Sequence, residues 1–237
     1  MIGPDIIKRL SNKYQTTDLN VRREYVQHLF LSYFYQQSIT KHIYFKGGTA
    51  LRILYHSPRF SEDLDFSTAT YDVKNTEDAV LDSLKEIQRE GIRTEIKESK
   101  KTSGGYLAII YFDLSGQEIA LQVEISGRVG EKRGEVTTIA GDFIPPYSLV
   151  ALVKEQLVAE KIKALLIRHK PRDFYDLYFI LRANLLRPQE KKILPQVLTL
   201  LKNTRFNFET ELKEFLPKSQ WAIIRNFKAI LVRELKR

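Results

Sequence analysis

The sequence predicts an α+β protein: a mixed sheet of about five strands with helices in the first part of the chain, then a C-terminal bundle of helices. Three observations carry that expectation. Residues 118–126 alternate Ile119, Leu121, Val123 and Ile125 against Ala120, Gln122, Glu124 and Ser126, the period of a half-buried strand. Residues 20–37 and 75–90 repeat apolar side chains at helical spacing. After Pro145-Pro146 the pattern turns helical and stays so.

In chain order, residues 4–15 and 20–37 read as helices, the second with Val26, Leu29, Phe30, Tyr33 and Phe34 on its apolar positions. Ile43-Tyr44-Phe45 is a short apolar run stopped by Gly47-Gly48, a buried strand. Thr49 to Tyr55 is a helix that starts directly after the glycines, and Leu64 to Phe66 is the next strand. Residues 75–90 place Val80, Leu84 and Ile87 on one helix face. Strands are expected over 92–98, 106–113 and 118–126, the last two joined as a hairpin through Leu114-Ser115-Gly116-Gln117. Helices are expected over 148–168, 172–184, 188–202, 208–215 and 219–236. The boundary between an N-terminal core (1–146) and a helical domain (147–237) is expected near 144–147.

Composition narrows the function classes. The 237 residues allow one large or two modest domains, and 43% hydrophobic with 28% charged residues is the balance of a water-soluble globular chain. No apolar run approaches the roughly 18–20 residues of a membrane span, so no membrane partner is expected. The first residues, MIGPDIIKRLSNKY, lack a signal-peptide core, and the chain is expected in the cytoplasm. With no cysteine there is no disulfide, thiolate metal site or cysteine nucleophile. The net charge of +9 is unevenly placed: residues 151–237 hold 19 Lys+Arg against 9 Asp+Glu, whereas residues 1–150 hold 19 against 20. That surplus fits either a nucleic-acid surface or a set of solvated helix faces.

The chemistry concentrates in residues 46–66, KGGTALRILYHSPRFSEDLDF. Gly47 and Gly48 allow backbone conformations that bare amide N–H groups, and the helix that follows adds a partial positive charge favourable to phosphate. Thr49 either caps that helix or hydrogen-bonds a phosphate oxygen. Lys46 and Ser61 border the two motifs and join Gly47, Gly48 and Thr49 as candidate phosphate contacts. Asp63 and Asp65 stand at alternate positions of a strand, about 6.6 Å apart on one face. Two such carboxylates can hold a pair of Mg²⁺ ions, which take oxygen ligands and share them with substrate phosphates. Taken singly, an Asp-x-Asp is as readily a charged loop end, and a Gly-Gly an ordinary turn. A glycine turn, a helix and an acid pair in this order make the minimal equipment of a nucleotidyltransferase.

Further candidates lie outside that window. A third metal ligand belongs on a neighbouring strand, where Glu124 is the first candidate and Asp113 its competitor; Glu124 equally suits the outer face of an edge strand. In the helix 148–168, Lys161 and Arg168 flank the apolar face of Val158, Ile162 and Leu165. Lys161 is the candidate for binding a triphosphate or stabilising leaving pyrophosphate, with Arg168 assisting. The plainer reading is that both lay their stems along the core edge. The helix opened by Pro171 is apolar nearly all round, so Asp173 and Asp176 need cationic partners, for which Arg168, Arg172 and Lys161 are available. The four histidines show no metal-ligand spacing and receive no catalytic role; His28 reads as a core-edge residue.

Together these segments resemble the nucleotidyltransferase AbiEii/AbiGii toxin family of type IV toxin–antitoxin and abortive-infection systems, to which the mycobacterial MenT toxins are related. The resemblance rests on Phe45-Lys46-Gly47-Gly48-Thr49-Ala50-Leu51, on Arg59-Phe60-Ser61-Glu62-Asp63-Leu64-Asp65-Phe66, on Ala159-Glu160-Lys161-Ile162-Lys163-Ala164-Leu165 with Arg168, and on Pro171-Arg172-Asp173-Phe174-Tyr175-Asp176-Leu177-Tyr178. It implies a polymerase-β-like nucleotidyltransferase core, Mg²⁺ at Asp63 and Asp65 with Glu124 as the positional match for a third acid that is often Asp in the family, and an NTP held by the glycine turn and Lys161. It also implies transfer of NMP to an acceptor such as the tRNA 3′ end, and a cognate antitoxin. Two other readings use the same residues: a nucleotide- or RNA-binding module without turnover, and the same transfer onto a protein or small molecule.

Overall fold

The computed structural model describes residues 1–69, 72–127 and 130–237. Two compact units form: one from Met1–His56 and Phe60–Val153, the other from Ser57–Arg59 and Lys154–Arg237.

The first unit is built on a sheet of seven strands among the described residues, larger than the five expected from the sequence. The helices α1 (Pro4–Tyr14) and α2 (Asp18–Phe34) come first, and then β1 (Ile43–Lys46), α3 (Gly47–Tyr55), β2 (Leu64–Thr68) and α4 (Val73–Arg89). There follow β3 (Arg93–Thr102), β4 (Gly105–Leu114), β5 (Gln117–Ser126), β6 (Gly134–Ile139) and β7 (Tyr147–Leu152). The strand order is β3-β4-β5-β2-β1-β7-β6. β1 runs antiparallel to β2 and parallel to β7, and β2 runs parallel to β5, so the mixed centre carries the short strands that follow helices. The outer pairs β3/β4, β4/β5 and β6/β7 are antiparallel.

Two strands depart from the sequence expectation. Residues 147–152, expected to open a helix, pair with β6 and β1 as a strand. A short run such as Leu149-Val150-Ala151-Leu152 has no period that separates a buried strand from a helix, and here it lies beside β1 with Leu149, Ala151 and Leu152 buried. The helix therefore begins only at Lys154, and the two units change over at Val153–Lys154 rather than at 144–147. β6 had no sequence signal because it is an edge strand with most of its residues exposed.

One face of the sheet is packed by α2. The side chain of Phe66 on β2 meets Phe34 at 5.3 Å, Phe45 at 5.6 Å and Tyr35 at 6.4 Å between ring centroids. Phe34, Phe45 and Phe66 are wholly buried, and each such side chain contributes roughly 1.5–3 kcal/mol by leaving water. This apolar layer holds β1 and β2 flat against α2 and leaves their alternate residues to the opposite face.

The second unit contains α5 (Lys154–Arg168), α6 (Pro171–Arg182), α7 (Leu194–Asn203), α8 (Phe208–Leu212), α9 (Trp221–Arg225) and α10 (Phe227–Leu235). α5 packs on α6, and α10 packs on α6, α7 and α8. Their core is aromatic: Phe174, Tyr175, Phe208 and Phe227 are buried, with Phe208 and Phe227 at 5.0 Å and Tyr175 and Phe227 at 5.7 Å. Among the described residues, no helix of either unit is long and apolar enough to cross a membrane.

Candidate active site

The site in the first unit is a row of charged residues across three neighbouring strands. Lys46 on β1 pairs with Asp65 on β2, and Asp65 pairs with Glu124 on β5. Directly paired residues share a face of the sheet, so these three project together. Their neighbours Phe45, Phe66 and Ile125 take the buried face. The alternation expected for β5 is therefore correct, and its acid stands beside Asp65.

Gly47 brings the glycine turn onto the same spot. Its φ is +88°, a left-handed backbone that suits glycine, while Gly48 is already buried inside α3. A Cβ built on Gly47 would lie 2.1 Å from Asp65 Oδ2 and 2.7 Å from Asp65 Cβ. The carboxylate thus occupies the space that any other residue would fill at position 47. Turn and acid are fitted to each other, although seventeen residues of chain separate them.

Thr49 supplies a second tie. It is buried, and its Oγ1 donates a hydrogen bond at 2.5 Å to the backbone carbonyl of Asp63. The hydroxyl expected to cap the helix or touch phosphate instead fastens α3 to the entry of β2. Asp63 precedes β2 by one residue and is partly exposed, as is Asp65; Glu124 is exposed. The Ser61 carbonyl accepts from Gln27 Nε2 at 2.9 Å, which anchors the Ser61–Asp63 approach to α2.

Asp113, the competitor of Glu124, stands elsewhere. It closes the β4–β5 hairpin, accepts from the Gly116 amide at 2.7 Å and pairs with Arg93. The residue of β4 opposite Glu124 is Leu107, six positions and therefore about 20 Å along the strand from Asp113.

The structure does not assemble a ready-made three-ligand cage: among the described residues, no group of three His, Asp or Glu side chains is placed to hold a metal ion. The donor set of Asp63, Asp65 and Glu124 is nonetheless all hard oxygen. It fits Mg²⁺, which usually takes one or two carboxylates and completes its shell with waters and substrate phosphates.

Lys161 and Arg168 belong to the second unit. Lys161 Nζ donates to Asp176 Oδ2 at 2.8 Å, and Arg168 donates to Asp173 Oδ1 at 2.6 Å. Asp173 and Asp176 are 3% and 2% exposed, so the demand of a buried acid for a cation is met by two residues that the sequence offered as partners. Asp173 also caps α6, accepting from the Lys170 amide at 3.2 Å. The sequence did not offer Arg59 as a partner of these acids, yet it grips Asp176 with Nε to Oδ1 at 2.8 Å and a terminal nitrogen to Oδ2 at 3.0 Å. Burial pushes the Asp176 carboxyl up, but Arg59 and Lys161 overcome that and hold it at about 2. Arg59 is remote in sequence from α6, where helical periodicity cannot reach it. In the sequence it stands only as the first residue of the segment Arg59–Phe66 that carries the family resemblance, with no sign of its partner.

His28 is a core residue, as expected. Its Nδ1 lies 2.9 Å from the Tyr147 hydroxyl and its ring stacks on Phe143. Burial, with Arg52 nearby, lowers its pKa to about 4.

The profile of the nucleotidyl transferase AbiEii toxin family, from type IV toxin–antitoxin systems, matches residues 29–231. The chain belongs to this family. Its members are nucleotidyltransferases, and the AbiEii profile spans the glycine turn, the Asp63–Asp65 segment and the Lys161 helix alike. Solved structures share the fold at low identity. MenT4, a nucleotidyltransferase toxin from Mycobacterium tuberculosis, aligns with a TM-score of 0.66 at 17% identity, over 99% of this chain and 89% of its own. JHP933 from Helicobacter pylori gives 0.62 at 20% identity, over 93% and 95%. A putative nucleotidyltransferase from H. pylori gives 0.58 at 19%, over 93% and 97%. No curated protein matches the sequence.

Proposed function

We propose that this AbiEii-family nucleotidyltransferase transfers NMP from an NTP to the 3′ end of an RNA, with tRNA as the favoured acceptor, and that it does so as the cytoplasmic toxin of a pair with a cognate antitoxin. The observation that carries the reading is the seat of Asp65 against Gly47, with Lys46 and Glu124 in the same row of the sheet. It joins an acid pair to a turn whose amides suit phosphate.

Asp63 and Asp65 would hold two Mg²⁺ ions, with Glu124 as the third acid. Bound there, the metal supplies charge neutralisation at the triphosphate and a lowered pKa for the acceptor hydroxyl. The protein residues do the rest. The backbone of Gly47 and Gly48 and the start of α3 cradle phosphate oxygens. Thr49 keeps that cradle and Asp63 at a fixed spacing through its hydrogen bond. Lys46, Ser61, Lys161 and Arg168 are the further phosphate contacts, and Lys161 offsets charge on the departing pyrophosphate. Glu124 either completes the second metal site or accepts the proton of the acceptor hydroxyl as its base. The hydroxyl oxygen then bonds to the α-phosphorus as the bond to the pyrophosphate oxygen breaks. The surplus cations of residues 151–237 suit an RNA backbone.

The test is incubation with cellular RNA, Mg²⁺ and each of the four NTPs labelled at the α-phosphate, with a chelator as control. Label on an RNA 3′ end together with released pyrophosphate is expected. Label on protein, or binding of NTP without incorporation of any label, would replace this acceptor assignment.

A further inference from the structure

We propose that Gln27 is a positioning residue for the acid Asp63: its buried amide, together with the hydroxyl of Thr49, fixes the two peptide planes on either side of Asp63 and so aims the carboxylate. The proposal rests on the reading of Asp63 as a ligand of Mg²⁺.

The two acids are held in different ways. Asp65 lies inside β2, paired with Lys46 of β1 on one side and Glu124 of β5 on the other. Asp63 lies before the first ladder pair, Leu64 with Val123, so sheet pairing does not set its backbone. Side chains do so instead. Gln27 Nε2 donates to the Ser61 carbonyl at 2.9 Å and to the Glu62 carbonyl at 3.2 Å. Thr49 Oγ1 donates to the Asp63 carbonyl at 2.5 Å. Three successive carbonyls are thus held from two helices, α2 and α3. Each carbonyl belongs to a rigid peptide plane. The Glu62 carbonyl marks the plane that enters Asp63, and the Asp63 carbonyl marks the plane that leaves it. With both planes held, φ and ψ of Asp63 are fixed, and with them the direction of its Cβ.

A carbonyl oxygen only accepts, so this spot requires the amide nitrogen of Gln27 with its two hydrogens. Gln27 and Thr49 are each 1% exposed, so neither donor exchanges its bond for bulk water without cost. Neighbouring residues brace the same segment. Arg23 reaches Glu62 at 3.0 Å. The buried ring of Phe60 lies 3.4 Å from the Arg52 guanidinium, which Glu24 of α2 accepts from at 2.8 Å. All of these residues belong to the first compact unit. A metal ligand benefits from this bracing, because a carboxylate aimed beforehand does not have to be ordered when the ion binds.

The experiment titrates the full chain with Mn²⁺, a hard divalent stand-in for Mg²⁺, without nucleotide, and counts the free ion by its electron paramagnetic resonance signal. Melting temperature and the Mg²⁺ dependence of nucleotide transfer are measured beside it. D63N tests the underlying reading, and its affinity for Mn²⁺ should fall. Q27M fills the space with an unbranched chain but carries no donor. It should raise the Mn²⁺ dissociation constant about tenfold, the scale on which a residue that orients a metal ligand acts, and should need correspondingly more Mg²⁺ for half-maximal transfer. Q27N keeps an amide on an arm one methylene shorter; it should fold more readily than Q27M and weaken Mn²⁺ binding by less. T40V is the matched control. Thr40 is buried beyond the end of α2, and its Oγ1 faces the carbonyls of Phe34 at 3.0 Å and Gln37 at 2.7 Å. T40V therefore also takes a buried donor from two carbonyls; it should lower the melting temperature and leave Mn²⁺ binding unchanged. If D63N weakens Mn²⁺ binding while the folded Gln27 variants bind as wild type, or if T40V weakens it as much as Q27M, Gln27 is only a structural brace and the proposal falls. If D63N binds Mn²⁺ as wild type does, the reading of Asp63 as a metal ligand is itself overturned.

Discussion

Gly47 and Asp65 show how much one residue can fix. Alanine at position 47 meets two obstacles at once: a φ of +88° and a carboxylate oxygen where its methyl would stand. The left-handed backbone alone costs an L-residue roughly 1–2 kcal/mol, and relieving the clash must displace Asp65. We predict that G47A lowers the melting temperature and slows nucleotide transfer at least about 100-fold, the scale of a misplacement near 1 Å in a catalytic group. Transfer at the wild-type rate in purified G47A would show that Asp65 does not need this seat. Thr49 is tested by isosteric change. T49V removes the donor to the Asp63 carbonyl and should cost roughly 1–3 kcal/mol in denaturant titration, while T49S keeps the donor and should cost less. Equal losses in the two variants would mean that methyl packing, not the hydrogen bond, holds the turn. These residues were legible in the sequence because their chemistry is local: two glycines before a helix and two acids at strand spacing. What the sequence could not show was the use of Thr49, whose partner is a backbone carbonyl fourteen residues on.

Elements were legible where a side-chain period was long and one-faced. β5 alternates cleanly, and α4 shows a single apolar stripe. β7 was misread because Leu149-Val150-Ala151-Leu152 is apolar at every position and so shows no alternation, while β6 was missed because an edge strand buries too little to show one. α6 gave a different kind of signal. Its all-round apolar surface required partners for Asp173 and Asp176, and the structure supplies them, including one from outside the helical segment. The pairing carries a pH signature. The Asp176 pKa of about 2 in the folded protein lies below its ordinary value of 3.8. The unfolded chain therefore binds the proton first on acidification, so the stability from this group is present above about pH 4 and lost as pH falls toward 2. The loss should be roughly 2 kcal/mol by the usual conversion of pKa to free energy. Melting curves from pH 5 to about pH 2 should fall less steeply for R59M/D176N than for wild type; parallel curves would remove Asp176 from the account of acid sensitivity.

At the scale of the whole molecule, charge and helices were divided as the sequence suggested, with the positive surplus in the last part of the chain. The division of the chain into compact units was less legible. Residues 57–59 belong to the helical unit although they lie between α3 and β2, and nothing in the composition of Ser57-Pro58-Arg59 announces it. Only the three-dimensional partner of Arg59 does. If the basic residues serve an RNA acceptor, affinity for RNA should fall steeply with salt because bound counter-ions are released from the phosphates. We expect at least about a tenfold loss between about 50 and about 200 mM monovalent salt. Affinity that is flat across that range would assign the surplus to solvated helix faces.

The central claim is that the acids beside the glycine turn perform the transfer. The most direct measurement is single-turnover transfer of α-phosphate label to RNA by D65N beside wild type, at matched folded concentration. The account predicts at least about a thousandfold slower transfer with little change in melting temperature, as expected when a group acting on the reacting phosphate is lost. Transfer by D65N at the wild-type rate would contradict it.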